Sequence, residues 1–256
     1  MSSRDFNSAI LDDVAHRPWP MPDAPWLMTQ TWQHLLFAHW PIDPSRLRSK
    51  IPLPFEIDLF DGVAWVGIVP FHMTNVAPRG VPSLPWVSSF PELNVRTYVR
   101  VGTRPGVYFF SLDAGSRVAV RTARGLLNLP YYSAAMTVRR AGDRISYESV
   151  RRTNTAAAFS ASYSPIGAAV APVEGSLEYF LTERYCLYHV SHRGTPYRLD
   201  IHHPPWLLHG ADAQIDRNTM AEASGITIPA RTPLLHFVER QDVVAWAPVR
   251  YNGRGR

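Results

Sequence analysis

The chain has 256 residues, 46% of them hydrophobic and 18% charged, with 8 Trp, 11 Tyr and 11 Phe spread along its length. It can bury a large core and lacks the low-aromatic, high-charge signature of disorder. The formal net charge of +5 comes from arginine, since Lys50 is the only lysine among 26 basic residues; those arginines are dispersed and interleaved with acids, which argues against a nucleic-acid partner.

Charges or prolines interrupt every apolar run well short of the roughly 20 residues of a helical membrane crossing. Asp5, Asp12 and Asp13 stand where a signal peptide would need basic and then apolar residues. A single cysteine, Cys186, rules out an intrachain disulfide and fits a reducing cytoplasm, the expected location.

Residues 1–27 carry four prolines with Trp19 and Trp26 and read as an extended arm, followed by one domain over 28–251. Thr29–Trp40 reads as a strand, then Asp43 as the cap and Pro44 as the first residue of a short helix ending near Lys50. Glu56–Phe60 and Val63–Met73 flank Asp61-Gly62 and predict a hairpin, its second strand apolar on both faces. A proline-rich loop carrying Trp86 fills 74–88. Alternation then places Glu92, Asn94, Arg96, Tyr98 and Arg100 on one face of a strand. Val107–Leu112 follows as a strand, Asp113 as the cap of a helix to about Leu127, and Asn128 as its left-handed stop.

Ala134–Arg140 and Arg144–Arg152 form a hairpin around Gly142-Asp143, and Thr155–Tyr163 adds a strand before a loop over 164–175. Ser176 caps a short helix through Thr182 with Glu178 and Glu183 outward. Tyr185–His192 and Tyr197–His202 pair around Arg193-Gly194-Thr195, residues 211–224 read as helical, and Leu234–Tyr251 as mostly strand. About ten strands at hairpin spacing with four short helices predict an α+β chain, mainly antiparallel β, with barrel closure rather than a doubly wound sheet.

Several chemistries are absent from the sequence. There is no Gly-x-Ser-x-Gly elbow, Walker loop or Gly-x-Gly-x-x-Gly. Cys186 between Tyr185 and Leu187 reads as a small buried hydrophobe, not a nucleophile. His202-His203 would point to opposite faces of a strand, and His34, His39, His72, His189, His192, His209 and His236 have no ligand spacing, so no metal and no cofactor is expected. The face bearing Glu92 and Arg96 has two readings: a solvated charge pair, or the lining of a closed sheet in which arginine anchors a carboxylate and glutamate moves a proton.

The blocks PIDPSRLR, FDGVAWVGIVPFHM, FPELNVRTYV, GVYFFSLDA, LPYYSAAM, GSLEYFLTERY and IHHPPW, in order from about Thr31 to Val249, resemble the YqjF-like family of uncharacterised bacterial proteins. That family is similar to the acetoacetate decarboxylase-like superfamily, which implies an antiparallel β-cone around a buried, mostly apolar cavity. There an aromatic-x-Glu segment supplies an active-site carboxylate, matched here by Phe90-Pro91-Glu92. A Gly-aromatic-Pro-Lys-Lys segment supplies the Schiff-base lysine and its neighbour, and its counterpart is Asn128-Leu129-Pro130-Tyr131-Tyr132. Both amines are replaced by tyrosine, and arginine cannot substitute because it does not deprotonate in proteins.

The resulting expectation is a cavity that binds or transforms a small organic carboxylate or carbonyl compound. Glu92 and Tyr131 are the candidate catalytic residues, and Arg96, Asn94, Tyr98 and Tyr132 the candidate ligand-binding residues. Catalysis is left open, a lysine-independent lyase, isomerase or hydrolase-like reaction standing beside a non-catalytic binder or sensor and a structural protein that self-associates into a homo-oligomer through its arm. The expected partner is a small-molecule ligand, with neither nucleic acid nor membrane.

Overall fold

The computed structural model describes residues 5–81, 88–127, 129–191 and 193–251; Trp86, Asn128 and His192 lie outside them. Among the described residues, thirteen strands form one sheet, accompanied by three α-helices. The strands are β1 (Met28–Ile42), β2 (Glu56–Ile57), β3 (Ala64–Pro78), β4 (Phe90–Val101), β5 (Arg104–Ala114), β6 (Tyr131–Ala141) and β7 (Arg144–Arg151). They continue with β8 (Ala158–Val170), β9 (Cys186–Val190), β10 (Pro196–His202), β11 (Leu208–Asn218), β12 (Leu234–Ala245) and β13 (Val249–Arg250). The helices are α1 (Pro44–Arg48), α2 (Arg117–Leu127) and α3 (Leu177–Thr182). None is long and apolar enough to cross a membrane.

The strand order β5-β6-β7-β8-β11-β12-β1-β3-β4 returns to β5 through the β4–β5 ladder, giving a cone-like ring. Two strands fork. On one edge β5 pairs with β9 at Val107–Tyr108 and then with β6 at Leu112–Ala114, both in parallel. On one edge β12 pairs with β11 at His236–Phe237 and then with β10 at Val244–Ala245. The strands β9 and β10 thus bridge β5 and β12 by a second, shorter route.

Between the forks, β1, β3 and β4 are buried on both faces. Leu36, Ala38, Val66, Ile68, Leu93, Val95 and Val99 enter the largest apolar cluster with Tyr147, Phe159 and Tyr163. Leu35, Phe37, Val69, Phe71 and Met73 face the other way, with Trp206. This is the doubly apolar pattern expected for β3, and it places the Glu92 face of β4 inside the protein. The arm packs on its own chain: Ile10 joins Val244 and Trp246, and the Arg17 Nη1 donates to the Ile201 carbonyl at 2.9 Å.

Local caps follow the sequence in α1, where Asp43 accepts from the Ser45 amide, and in α3, where Ser176 accepts from the Tyr179 amide. Other expectations are corrected. Asp61 and Gly62 do take positive φ, 47° and 78°, but the turn closes only a Phe60–Val63 bridge, and β2 is two residues long and pairs with β4. Asp113 is not a cap: it lies fully buried in β5, one residue before its end, and the Ser116 hydroxyl accepts the Ala119 amide of α2. Part of the loop placed at 74–88 is the end of β3, and β8 continues to Val170 through the expected loop at 164–175.

Of residues 211–224, only Glu222–Ser224 is helical, as one 3-10 turn. Ala211, Ala213 and Ile215 pack on the core at period two while Asp212, Gln214 and Asp216 are exposed, so residues 211–218 belong to β11, paired with β8. Glu183 is buried, not outward, because its carboxylate accepts the Trp206 amide at 2.9 Å and the Tyr185 hydroxyl.

Candidate functional site

Alternation along β4 brings Glu92, Asn94 and Arg96 to a cavity of about 80 Å3. Apolar walls come from Leu35, Phe71, Phe109, Leu187 and Trp206 among others, and Tyr131 closes it from the start of β6. Tyr131 reaches this position because Leu112 and Tyr131 are parallel partners and the Leu112 amide donates to the Pro130 carbonyl at 3.0 Å. Its hydroxyl donates to Glu92 Oε2 at 3.1 Å. From the opposite cluster the Tyr147 hydroxyl donates to the Glu92 carbonyl at 2.7 Å and fixes the strand there.

Glu92 is 2% exposed. Burial pushes its carboxyl up to about 8, Asp113 adds to the rise, and the Tyr131 hydrogen bond opposes it. Near neutrality it is therefore mostly protonated, accepting from Tyr131 on one oxygen and carrying a proton on the other. Burial and the adjacent Glu92 hold the Tyr131 hydroxyl well above the usual phenol range, so it is a donor and not a nucleophile.

Arg96 is 7% exposed. Among the described residues no carboxylate forms an ion pair with it. Its Nη2 makes one long bond to the Leu181 carbonyl, 3.4 Å, and its Nε has no partner among the described residues. The guanidinium lies 4.8 Å from the Phe37 ring centroid and 5.7 Å from that of Tyr98, contacts that favour a cation by about 0.5–2 kcal/mol each. Gly67, its partner across β3, leaves the space it needs: a Cβ there would sit 3.3 Å from Arg96 Cγ and 3.0 Å from the His39 ring. Asn94 Oδ1 is likewise buried without a partner.

Two of the expected ligand-binding residues lie off the cavity wall. The Tyr98 hydroxyl donates to the Leu181 carbonyl at 2.7 Å and therefore accepts from His39 Nε2 at 2.6 Å. This leaves His39 Nδ1 as a bare lone pair, consistent with a fully buried imidazole held neutral by burial and by Arg96. Tyr98 supports Arg96 from behind. Tyr132 points away from Tyr131, as adjacent strand residues do. The Arg151 guanidinium lies 3.9 Å from its ring centroid and is itself paired through two bonds of 2.8 and 2.7 Å to Asp113. Of the two positions that resemble lost lysines, one faces Glu92 and the other a buried ion pair.

Cys186 touches the cavity with a thiol that burial pushes up to about 12. Lys50 is exposed beyond α1, its ammonium beside Gly225, and is not part of the cavity. The ring nitrogens of His202 lie against Arg17 and the Ile10 carbonyl, and those of His203 against the Pro204 and Arg184 carbonyls. Sequence reasoning missed Gln30, Thr182, His203 and Trp206 in the lining. The signal for the last two was the IHHPPW block: its prolines carry Trp206 over the cavity, 5.1 Å from Phe37 by ring centroids.

A forked, strand-walled cone around a largely apolar cavity defines the acetoacetate decarboxylase-like class of fold. Acetoacetate decarboxylase from Legionella pneumophila superposes with a TM-score of 0.58 at 15% identity, covering 98% of each chain. The enduracididine biosynthesis enzyme MppR, complexed with the condensation product of pyruvate and imidazole 4-carboxaldehyde, gives 0.62 at 12% identity over 94% of this chain and 98% of that one. At these identities the likeness concerns the fold alone. Within that class the sequence matches DUF2071, described as an uncharacterized conserved protein, over residues 29–242, and the chain belongs to that family. It is 49% identical over 230 residues to the uncharacterized protein YqjF of Bacillus subtilis (strain 168), covering 90% of this chain and 94% of that protein.

Proposed function

We propose that the cavity binds or transforms a small organic carboxylate or carbonyl compound, with Arg96 as anion anchor, Glu92 as proton-transfer group and Tyr131 as donor to a polarised oxygen. The observation that carries this reading is Arg96. A buried guanidinium stays charged, and a buried charge without a counter-ion is costly. With Glu92 mostly uncharged, nothing in the wall balances it. A ligand carboxylate does, and the free Nε adds a directional bond to it, while the Asn94 oxygen is an acceptor for a hydroxyl or amine hydrogen elsewhere on a ligand. The fold neighbour MppR has also been solved with pyruvate, which carries a carboxylate and a carbonyl.

Schiff-base chemistry lies outside this reading, because it needs a primary amine at the cavity and the sole lysine is elsewhere. A non-catalytic binder or sensor is the second reading, favoured by the high Tyr131 hydroxyl: neither it nor the protonated Glu92 is an activated nucleophile. The single buried cysteine fits a cytoplasmic setting for either.

Calorimetric titration with sodium propionate tests the anchor. Arg96→Gln is expected to weaken binding roughly tenfold to a hundredfold, the worth of a hydrogen bond to a charged group, while Glu92→Gln stays within a few-fold of wild type. Unchanged affinity in Arg96→Gln would refute the reading. For a ligand identified by native mass spectrometry, loss of turnover with retained affinity in Glu92→Gln marks an enzyme.

A further inference from the structure

The chamber beside Arg96 and Glu92 is small for a whole ligand: about 80 Å3, against roughly 300 Å3 at the lower end for pockets that enclose drug-sized molecules. It has room for a compact head group. A second space of about 210 Å3 lies next to it, between α2 and the ends of β1, β3 and β4. Val76, Phe90, Ala119 and Ala123 give this space apolar walls. Ala119 and Ala123 are four apart on α2 and so share a face, and their small side chains leave volume that larger ones would fill.

Met28, Gln30, Met73 and Tyr131 line both chambers. The partition is thus one layer of side chains, and two of its members are unbranched methionines that change rotamer easily. On its inner side, among the described residues, stand three buried polar atoms without protein partners, Arg96 Nε, Asn94 Oδ1 and Trp206 Nε1. On its outer side every wall residue but Gln30, Thr122 and the Tyr131 hydroxyl is apolar.

Resting on the reading of Arg96 as an anion anchor, we infer that the ligand is an amphipathic monocarboxylate. Its head lies beside Arg96 and Glu92, and an unbranched hydrocarbon tail passes Met28 and Met73 into the chamber under α2. Chain length is then a determinant of affinity that the polar residues alone would not produce.

The test is calorimetric titration of the full chain, near neutral pH, with sodium salts of straight-chain monocarboxylates from propionate to decanoate. Affinity is expected to rise about fourfold per added methylene and to level off when the chamber is full. Ala123→Trp fills the chamber, so it should return the long acids to the affinity of propionate and leave propionate itself unchanged. Ala119→Phe acts on the same space and serves if the first variant melts early. Affinity independent of chain length, with propionate binding still lost in Arg96→Gln, would overturn the tail chamber and spare the anchor. Failure of every acid to bind would overturn the anchor and, with it, this inference.

Discussion

Replacing Glu92 by glutamine keeps the shape and hydrogen bonding of the buried neutral acid but removes its ability to ionise, and the consequence for folding can be worked out. In the folded protein the carboxyl titrates at about 8, against 4.5 ordinarily. Between those values the folded chain holds a proton that the unfolded chain has released, so stability falls as pH rises through the window and is level above it. At about 1.4 kcal/mol per unit, the full penalty is at most roughly 4 to 5 kcal/mol. Glu92→Gln carries no such penalty. It should match wild type near pH 4.5 and exceed it by several kcal/mol near pH ~9. Urea denaturation of both proteins across this range measures the difference, which cancels the buried histidines, such as His202 and His203 held near 4, that titrate at the acidic end. A difference that does not change with pH would show Glu92 already ionised in the folded state and remove its role as a proton donor.

Arg151→Ala leaves Asp113 buried without its partner and should cost about 3–5 kcal/mol by urea denaturation; a loss below about 1 kcal/mol would mean the pair is not isolated from water. Gly106→Ala places a methyl group 2.7 Å from Tyr188 Cε2 and 2.8 Å from Cys186 Sγ, where β5 forks to β9. Overpacking of this kind costs about 1–3 kcal/mol, read as a lowered Tm, and an unchanged Tm would contradict the close packing at the fork.

Much of this architecture was legible because the responsible signals are local. Asp43-Pro44 and Ser176 set helix starts, and period-two alternation set most strands and put Glu92, Asn94 and Arg96 on one face. The errors came where tertiary pairing outweighs local preference. ADAQIDRN has residues acceptable to a helix, yet β8 offers it a ladder and the core takes its alternate side chains. Asp113 has the chemistry of a cap, but Arg151, distant in sequence, holds it in β5. The resemblance to a lysine pair located Tyr131 and Tyr132 together, whereas only the alternation of β6 shows that one of them meets Glu92. The forks of β5 and β12, which enclose the cavity, depend on contacts between strands far apart in the chain and leave no mark in any single stretch.

The forks also determine how this sheet ends. Among the described residues, the outermost strands are β2 and β13, two residues each. A long exposed strand edge is a template on which another chain can add its own strand. A protein whose regular structure is mostly strand here offers next to no such template, so it resists edge-to-edge aggregation. Any partner it recruits must dock on side chains, helices or loops rather than by extending the sheet.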